Sequence, residues 1–124
     1  MWGRPDEMSQ ISDPRFQGID FENSYLLGVI YDDESLTLEM DFNLADGHPK
    51  YAVPQGDEEG CYRGGYIRFA DIEDLQIDKA RPAEGQSVDY SVIYSVADDG
   101  NKYRFSCGWG EIEVAAKSIR LAID

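Results

Sequence analysis

The segment YLLGVIYDDESLTLEMDFNL, residues 25–44, decides the fold because its apolar and polar side chains alternate. In the second half, apolar residues occupy every even position from Leu36 to Leu44, with polar residues between them. A period of two places alternate side chains on opposite faces of a β-strand. This half therefore predicts a strand with one buried face and one solvated face.

The first half of the segment predicts the partner of that strand. Directly opposed residues of antiparallel strands share a face, so apolar residues should face apolar residues across the hairpin. A loop over residues 32–35 meets this condition. It gives the pairs Tyr31 with Leu36, Val29 with Leu38, Leu27 with Met40, and Tyr25 with Phe42.

The second half of the chain predicts a three-stranded meander. Alternating residues 88–96 precede ADDGNK, whose Asp-Gly pair is a strong hairpin signal. A turn at Asp99-Gly100 predicts the pairs Val96 with Tyr103, Tyr94 with Phe105, and Val92 with Cys107. A second turn at Trp109-Gly110 predicts the pairs Cys107 with Ile112, Phe105 with Val114, and Tyr103 with Ala116. Trp109 is then expected at a hairpin tip.

Two later segments change the parity of their apolar positions, from Ile67 and Phe69 to Ile72, and from Val114 to Ile119. Such a change indicates a bulge or a sharp bend, which lets a sheet curl or cross between two sheets. Residues 82–86 are expected to form a loop, and no segment has a helical period. We predict an all-β domain, an antiparallel sandwich or flattened barrel of about seven or eight strands.

The first 23 residues have no persistent period and carry prolines, glycines and isolated apolar side chains. They predict an N-terminal extended arm, residues 1–23, that lays Phe16, Ile19 and Phe21 on a single β domain formed by residues 24–124. A chain of 124 residues is long enough for one such domain with its own core.

The net charge of the chain restricts which classes of molecule it is expected to bind. With 25 acidic and 11 basic residues, the net charge is −14, which repels nucleic acid and anionic lipid and attracts cations. The acidity serves solubility or a salty cytoplasm, or it forms a face for a basic protein. No stretch approaches the roughly 18 apolar residues of a membrane span, and the start resembles no leader peptide. We therefore expect a cytoplasmic protein that binds neither nucleic acid nor membranes.

The loop DGHPKYAVPQGDEEGCYRGGY, residues 46–66, holds the only histidine. His48 lies between turn residues and a proline, so we interpret it first as a loop residue, then as a partner or ligand contact, and last as a catalytic group. Asp57, Glu58 and Glu59 lack the spacing of a calcium loop and are expected to be solvated or to recognise Lys or Arg on a partner. Cys61 and Cys107 are interpreted as two core thiols.

The far end of that loop brings arginine and tyrosine together around Gly64-Gly65, whose lack of side chains indicates a bulge or a close backbone approach. Tyr and Arg are favoured at interfaces, although the arginines also suit pairing with the acidic excess. Trp109 is either an exposed anchor or a plug over a barrel end. The candidate binding residues are His48, Tyr51, Asp57, Glu58, Glu59, Tyr62, Arg63, Tyr66, Arg68 and Trp109.

The segments GGYIRFADIEDLQI and DDGNKYRFSCGWGEIEV resemble strands of small acidic β-rich bacterial domains, among them toxin-immunity proteins. The resemblance implies a single-domain cytoplasmic binder that neutralises a cognate toxin, and it transfers no site residue to this chain.

The sequence contains no phosphate loop, nucleophile elbow or zinc motif, so we predict no catalytic residue, no metal site and no cofactor. The first hypothesis is a non-catalytic acidic binding protein, immunity-like or inhibitor-like, with a basic protein partner. The alternatives are a small-ligand-binding β-barrel or an enzyme with an unrecognised site, and a structural or oligomerising domain that forms a homodimer.

Overall fold

The computed structural model describes residues 11–81, 84–85 and 89–124. In these ranges a short 3₁₀ helix at Pro14–Phe16 precedes six strands. The strands are β1 (Ile19–Tyr31), β2 (Ser35–Leu44), β3 (Cys61–Lys79), β4 (Ile93–Asp99), β5 (Lys102–Cys107) and β6 (Gly110–Ile123). They form one antiparallel sheet in the order β1-β2-β3-β6-β5-β4, curled into a half-barrel.

The all-β antiparallel class is therefore confirmed, in the form of one curled sheet. Six strands lie in the described residues, against the seven or eight predicted. Three features of the prediction fall wholly or partly outside the described residues, namely the first ten residues of the N-terminal arm, Val88 and the loop 82–86. Of the arm residues that are described, Phe16 and Phe21 are buried and Ile19 begins β1.

The β1–β2 hairpin has the predicted register only next to its loop. Tyr31 faces Leu36 and Val29 faces Leu38 as predicted. Beyond Gly28, however, the register shifts, and Leu26 takes the place predicted for Leu27 opposite Met40. The pairing of Tyr25 with Phe42 was likewise wrong, because the extra residue of this bulge turns Tyr25 towards solvent.

The meander β4–β5–β6 is present, but both predicted registers were wrong by two residues. The turns fall at Gly100-Asn101 and Gly108-Trp109, so Phe105 faces Val96 on one side and Ile112 on the other. A shift of two residues preserves which face is buried, so the predicted core residues of β5 and β6 remain inside. Tyr94 was predicted to point inward and is exposed, because the β4–β5 register shifts between Ile93 and Ser95.

The predicted bend is confirmed where β3 pairs with β6. Asp71 has a left-handed backbone with φ of 53° and lies between the pairs Ala70–Ser118 and Ile72–Ala116. The register then shifts between Ile72 and Asp74. The left-handed residue and the bulge bend both long strands, and this bend accompanies the curling of the sheet.

The core fills the inside of the curled sheet. Its largest fully buried side chains include five phenylalanines, Phe16, Phe21, Phe42, Phe69 and Phe105. The two sheet edges also meet at one point, where Tyr25 of β1 forms an isolated bridge with Val92 and the Leu26 N–H donates to the Ser91 carbonyl at 2.8 Å. Val92 had been predicted to face Cys107, a place that Ile93 takes instead.

Side-chain hydrogen bonds fix the segment before β1 on this core. The Asp98 carboxylate accepts the backbone N–H groups of Ser12 and Asp13 at 2.9 and 2.8 Å. The Tyr103 hydroxyl donates to the Asp13 carboxylate at 2.6 Å. Partial burial disfavours the charged form of Asp13, but the hydrogen bonds from Tyr103 and Arg15, with the Arg15 charge, outweigh it and lower the pKa of Asp13.

Replacing Tyr103 by phenylalanine should therefore lower the free energy of unfolding by about 1–2 kcal/mol at neutral pH. The folded pKa of Asp13 lies below its ordinary value of 3.8, so the stability from this bond is present above that value and is lost as the pH falls through the folded pKa. Urea unfolding of both proteins at neutral pH and near pH 3 measures the difference. A difference that is unchanged or larger in acid would contradict a role for the Asp13 charge.

Candidate binding surface

His48 is a structural residue of the β2–β3 loop. Its Nδ1 accepts the backbone N–H of Lys50 at 3.0 Å, and the backbone N–H of His48 donates to the Ala45 carbonyl. The side chain packs so closely on Gly18 that a methyl group there would lie 2.8 Å from the His48 Cβ. Burial, and then the Lys50 charge, lower the pKa of His48. The imidazole is consequently neutral at neutral pH and holds a turn.

The other candidate binding residues of this loop differ in burial and in contacts. Tyr51 is half-buried against the core. Asp57, Glu58 and Glu59 are exposed, and the Glu58 carboxylate accepts the Gln55 N–H at 2.8 Å, which closes the local turn. In the described ranges, no group of three or more His, Cys, Asp or Glu side chains is placed to hold a metal ion.

The two cysteines are free and buried, as interpreted from the sequence. Burial raises the pKa of Cys107 to about 12, so its thiol is protonated and unreactive at neutral pH.

Trp109 and His48 lie at opposite ends of β3. Trp109 is half-buried against the core, and its carbonyl accepts the Ala80 N–H just beyond the last residue of β3. The Lys79 ammonium lies 5.5 Å from its ring centroid. His48 instead belongs to the loop that leads into the first residue of β3. These two side chains therefore do not form one binding face.

Three of the four predicted Tyr and Arg residues do share a face. Tyr62, Tyr66 and Arg68 alternate along β3 and face the polar side chains of β2 on the outside of the sheet. Arg68 donates to the Thr37 hydroxyl at 3.3 Å. Arg63 faces Phe42, which is buried, and so belongs to the opposite face of the sheet.

Strand β1 adds exposed apolar side chains to the same outer face. Leu27 is 66% and Ile30 59% exposed, and the rings of Tyr25 and Tyr62 lie 5.8 Å apart. Sequence reasoning missed these residues because it placed Leu27 and Tyr25 inside. The usable signal was the pair Leu26-Leu27 and the run Val29-Ile30-Tyr31, since consecutive apolar residues give a strand two apolar faces.

A shallow groove of about 560 Å³ crosses this outer face. Its lining includes Leu27, Ile30, Thr37, Glu39, Gly64, Tyr66 and Asp124. The two glycines of β3 form its floor. A Cβ at Gly65 would overlap the Ala122 carbonyl oxygen of β6, which confirms the predicted close backbone approach, whereas a Cβ at Gly64 would enter the groove and lie 3.3 Å from the Asp124 carboxylate.

The carboxylates around the groove form no ion pair with the described Arg and Lys side chains, although the Lys50 ammonium donates to the Ile123 carbonyl beside Asp124. Within the described part of the chain, the ion pairs of Arg and Lys go to Asp13 and Glu113, and none goes to Glu39, Asp41 or Asp124. The Glu39 side chain lies across Gly28, 2.7 Å from the position that a Cβ would take there. We call Tyr25, Leu27, Ile30, Tyr62 and Tyr66, with these three carboxylates, the outer-face patch.

A pair of arginines limits the patch on one side. Arg68 of β3 faces Arg120 of β6, and the same row continues through Thr37 to Ile30. Negative and positive groups thus occupy neighbouring rows of the outer face, and the rings and apolar side chains lie beside both. Such a surface complements a partner that presents a cation next to apolar groups.

Comparisons of the chain with protein-family models, with curated proteins and with solved structures gave no match. The residues described by the structure include no helix of sufficient length and apolar character to cross a membrane.

Proposed function

We propose that the protein is a non-catalytic acidic binding protein of the cytoplasm, immunity-like or inhibitor-like, whose outer-face patch contacts a basic protein. The observation that carries the proposal is the combination of exposed Leu27 and Ile30 with the carboxylates Glu39, Asp41 and Asp124, which have no ion-pair partner among the described residues. Large exposed apolar groups beside polar ones are typical of protein-binding surfaces.

The charge of the chain supports a cationic partner. A net charge of −14 steers cations towards the protein and disfavours a second copy of the same chain on this face. The aromatic rings of the patch supply contact area at a low entropic cost, because Tyr has few rotatable bonds.

The alternative functions receive less support. The groove is shallow and open, whereas small-molecule sites enclose most of their ligand. The inside of the half-barrel is occupied by apolar side chains, and in the described residues Ser24 is the one buried polar side chain. A reaction centre needs several titratable groups that converge, and His48 instead serves its own turn.

A charge-matched pair of variants tests the proposal, with deca-arginine as the probe and backbone amide NMR shifts as the measurement. Glu39→Gln with Asp41→Asn removes two charges from the patch, and Asp57→Asn with Glu58→Gln removes two from the loop. Both variants have a net charge of −12, from −14 plus 2. The patch variant should bind about tenfold more weakly and the loop variant less than about twofold more weakly, because close charge pairs contribute more than distant ones.

Shifts of the wild-type protein should map to β2 and β3 and weaken between about 0.05 and 0.5 M salt. Equal losses in the two variants would show that only net charge matters and would overturn the proposed patch. A larger loss of affinity in the loop variant would indicate that the partner contacts residues 57–58 instead of the patch.

A further inference from the structure

We infer that the groove receives one arginine side chain of the basic partner, with its guanidinium on the Tyr66 ring between the carboxylates of Glu39 and Asp124. This inference rests on the proposed function and adds the identity of the recognised side chain.

The order of the strands in the sheet brings Glu39 and Asp124 close to Tyr66. Tyr66 of β3 has Glu39 of β2 as its direct neighbour on one side and Ala122 of β6 on the other. Asp124 follows two residues after Ala122, and its N–H donates to the Gly64 carbonyl at 2.9 Å. Adjacent strands lie about 4.8 Å apart, so the two carboxylates come from chains about 10 Å apart on either side of the ring.

Small residues leave the space that a flat group needs. Gly64 and Ala122 flank Tyr66 along and across the strands, and Gly64 contributes no side chain to the groove. The Glu39 carboxylate lies over Gly28, on the β1 side of its strand, and the Asp124 carboxylate lies 3.3 Å from the position that a Cβ at Gly64 would take. Tyr66 is half-buried and lines the groove together with these two residues.

This geometry favours arginine over lysine. A guanidinium is planar, stacks on an aromatic ring, and directs N–H donors to two sides at once. An ammonium is a compact charge that engages one of two separated carboxylates well, and its hydration is lost at a higher cost. Arginine alone therefore uses the ring and both carboxylates together.

The arginine row sets the limit of the site. Arg68 and Arg120 lie one row away from Tyr66 and Ala122, on the same outer face. They repel a second cation there, so a partner segment with a neutral or acidic residue next to its arginine avoids a repulsion that a second basic residue at that place would meet.

Three pentapeptides with blocked ends test the inference, GSRSG, GSKSG and GSXSG, in which X is citrulline, the uncharged analogue of arginine. Titration of the labelled protein should give saturable amide shifts at Gly64, Tyr66 and Asp124 with the arginine peptide. The lysine peptide should bind about fivefold more weakly and the citrulline peptide should not saturate, because one loses the stacking and the other the charge.

Two variants and a control complete the experiment. Tyr66→Ala should weaken arginine binding about fivefold, and Tyr66→Phe should leave it unchanged. Tyr94→Ala removes a more exposed ring outside the groove and should also leave it unchanged. Equal affinity for the arginine and lysine peptides, or no saturable shifts with the arginine peptide, would overturn the arginine site. Deca-arginine binding that still depends on Glu39 and Asp41 would then leave the proposed function standing, and its loss would remove both.

Discussion

Replacement of Phe16 by alanine is expected to lower the free energy of unfolding by about 3–5 kcal/mol. Phe16 is 1% exposed and packs edge to face on two rings, at 5.8 Å from Phe21 and 6.0 Å from Tyr103. The alanine variant loses the burial of the ring and leaves a cavity lined by these aromatic groups, which belong to different strands and cannot close together easily.

The 3₁₀ helix explains why so large an effect is expected from a residue outside the sheet. Pro14 begins the helix with its fixed φ, and the Asp13 side chain accepts the Arg15 N–H at 3.0 Å, which places the Phe16 ring inside. The segment is also bound from β4 through Asp98 and to β6 through Arg15, which donates to the Ile119 carbonyl. Phe16 thus connects the N-terminal segment to the core at the place where the sheet is curled.

Guanidinium chloride unfolding followed by near-UV circular dichroism measures this effect. Phe16→Leu is the matched control, because it keeps most of the apolar volume and should cost less than about 1.5 kcal/mol. Gln17→Ala, at the exposed neighbouring residue, should change the stability by less than about 0.5 kcal/mol. A loss below about 1 kcal/mol for Phe16→Ala would show that the segment does not contribute to the core.

The alternation of apolar and polar residues in β2 and β5 predicted correctly which face of each strand is buried. It did not predict the register in which the strands pair. Leu36 to Leu44 face inward because a period of two admits no other arrangement in a half-buried strand. The turn positions were wrong because Asp99-Gly100 and Gly100-Asn101 are both acceptable hairpin turns, and a shift of two residues keeps every apolar pair matched. Local sequence therefore does not distinguish the two registers, and packing between strands that are distant in the sequence selects one of them.

The outer-face patch depended on information that local sequence does not contain. Tyr66 was selected as an interface residue from its type, but its neighbours Glu39 and Asp124 come from β2 and from the end of β6. The order β2-β3-β6 places β6 beside β3 although β4 and β5 precede it in the chain. The bulge at Leu27 was also hidden, because Leu26 and Leu27 satisfy the hydrophobic pattern equally well until β2 is paired.

Replacement of Gly65 by alanine is expected to destabilise the protein by about 3 kcal/mol, whereas the same change at Gly64 should cost less than about 1 kcal/mol. Neither glycine has a positive φ, so backbone strain does not distinguish them. The difference is steric: a Cβ at Gly65 overlaps the backbone carbonyl of Ala122, and β6 can relieve this only by moving away from β3. A Cβ at Gly64 meets only the Asp124 carboxylate, which can rotate.

The same pair of variants distinguishes an effect on stability from an effect on arginine binding. Gly64→Ala fills the groove floor and should weaken binding of the arginine pentapeptide about fivefold at nearly unchanged stability, since the methyl group occupies the space beside Tyr66. Guanidinium chloride midpoints and amide shifts measure the two effects in one set of samples. Equal, small losses of stability at both positions would mean that β3 and β6 do not approach closely at Gly65. Unchanged arginine binding in Gly64→Ala would place the guanidinium away from the groove floor, because a methyl group cannot share that space with a stacked side chain.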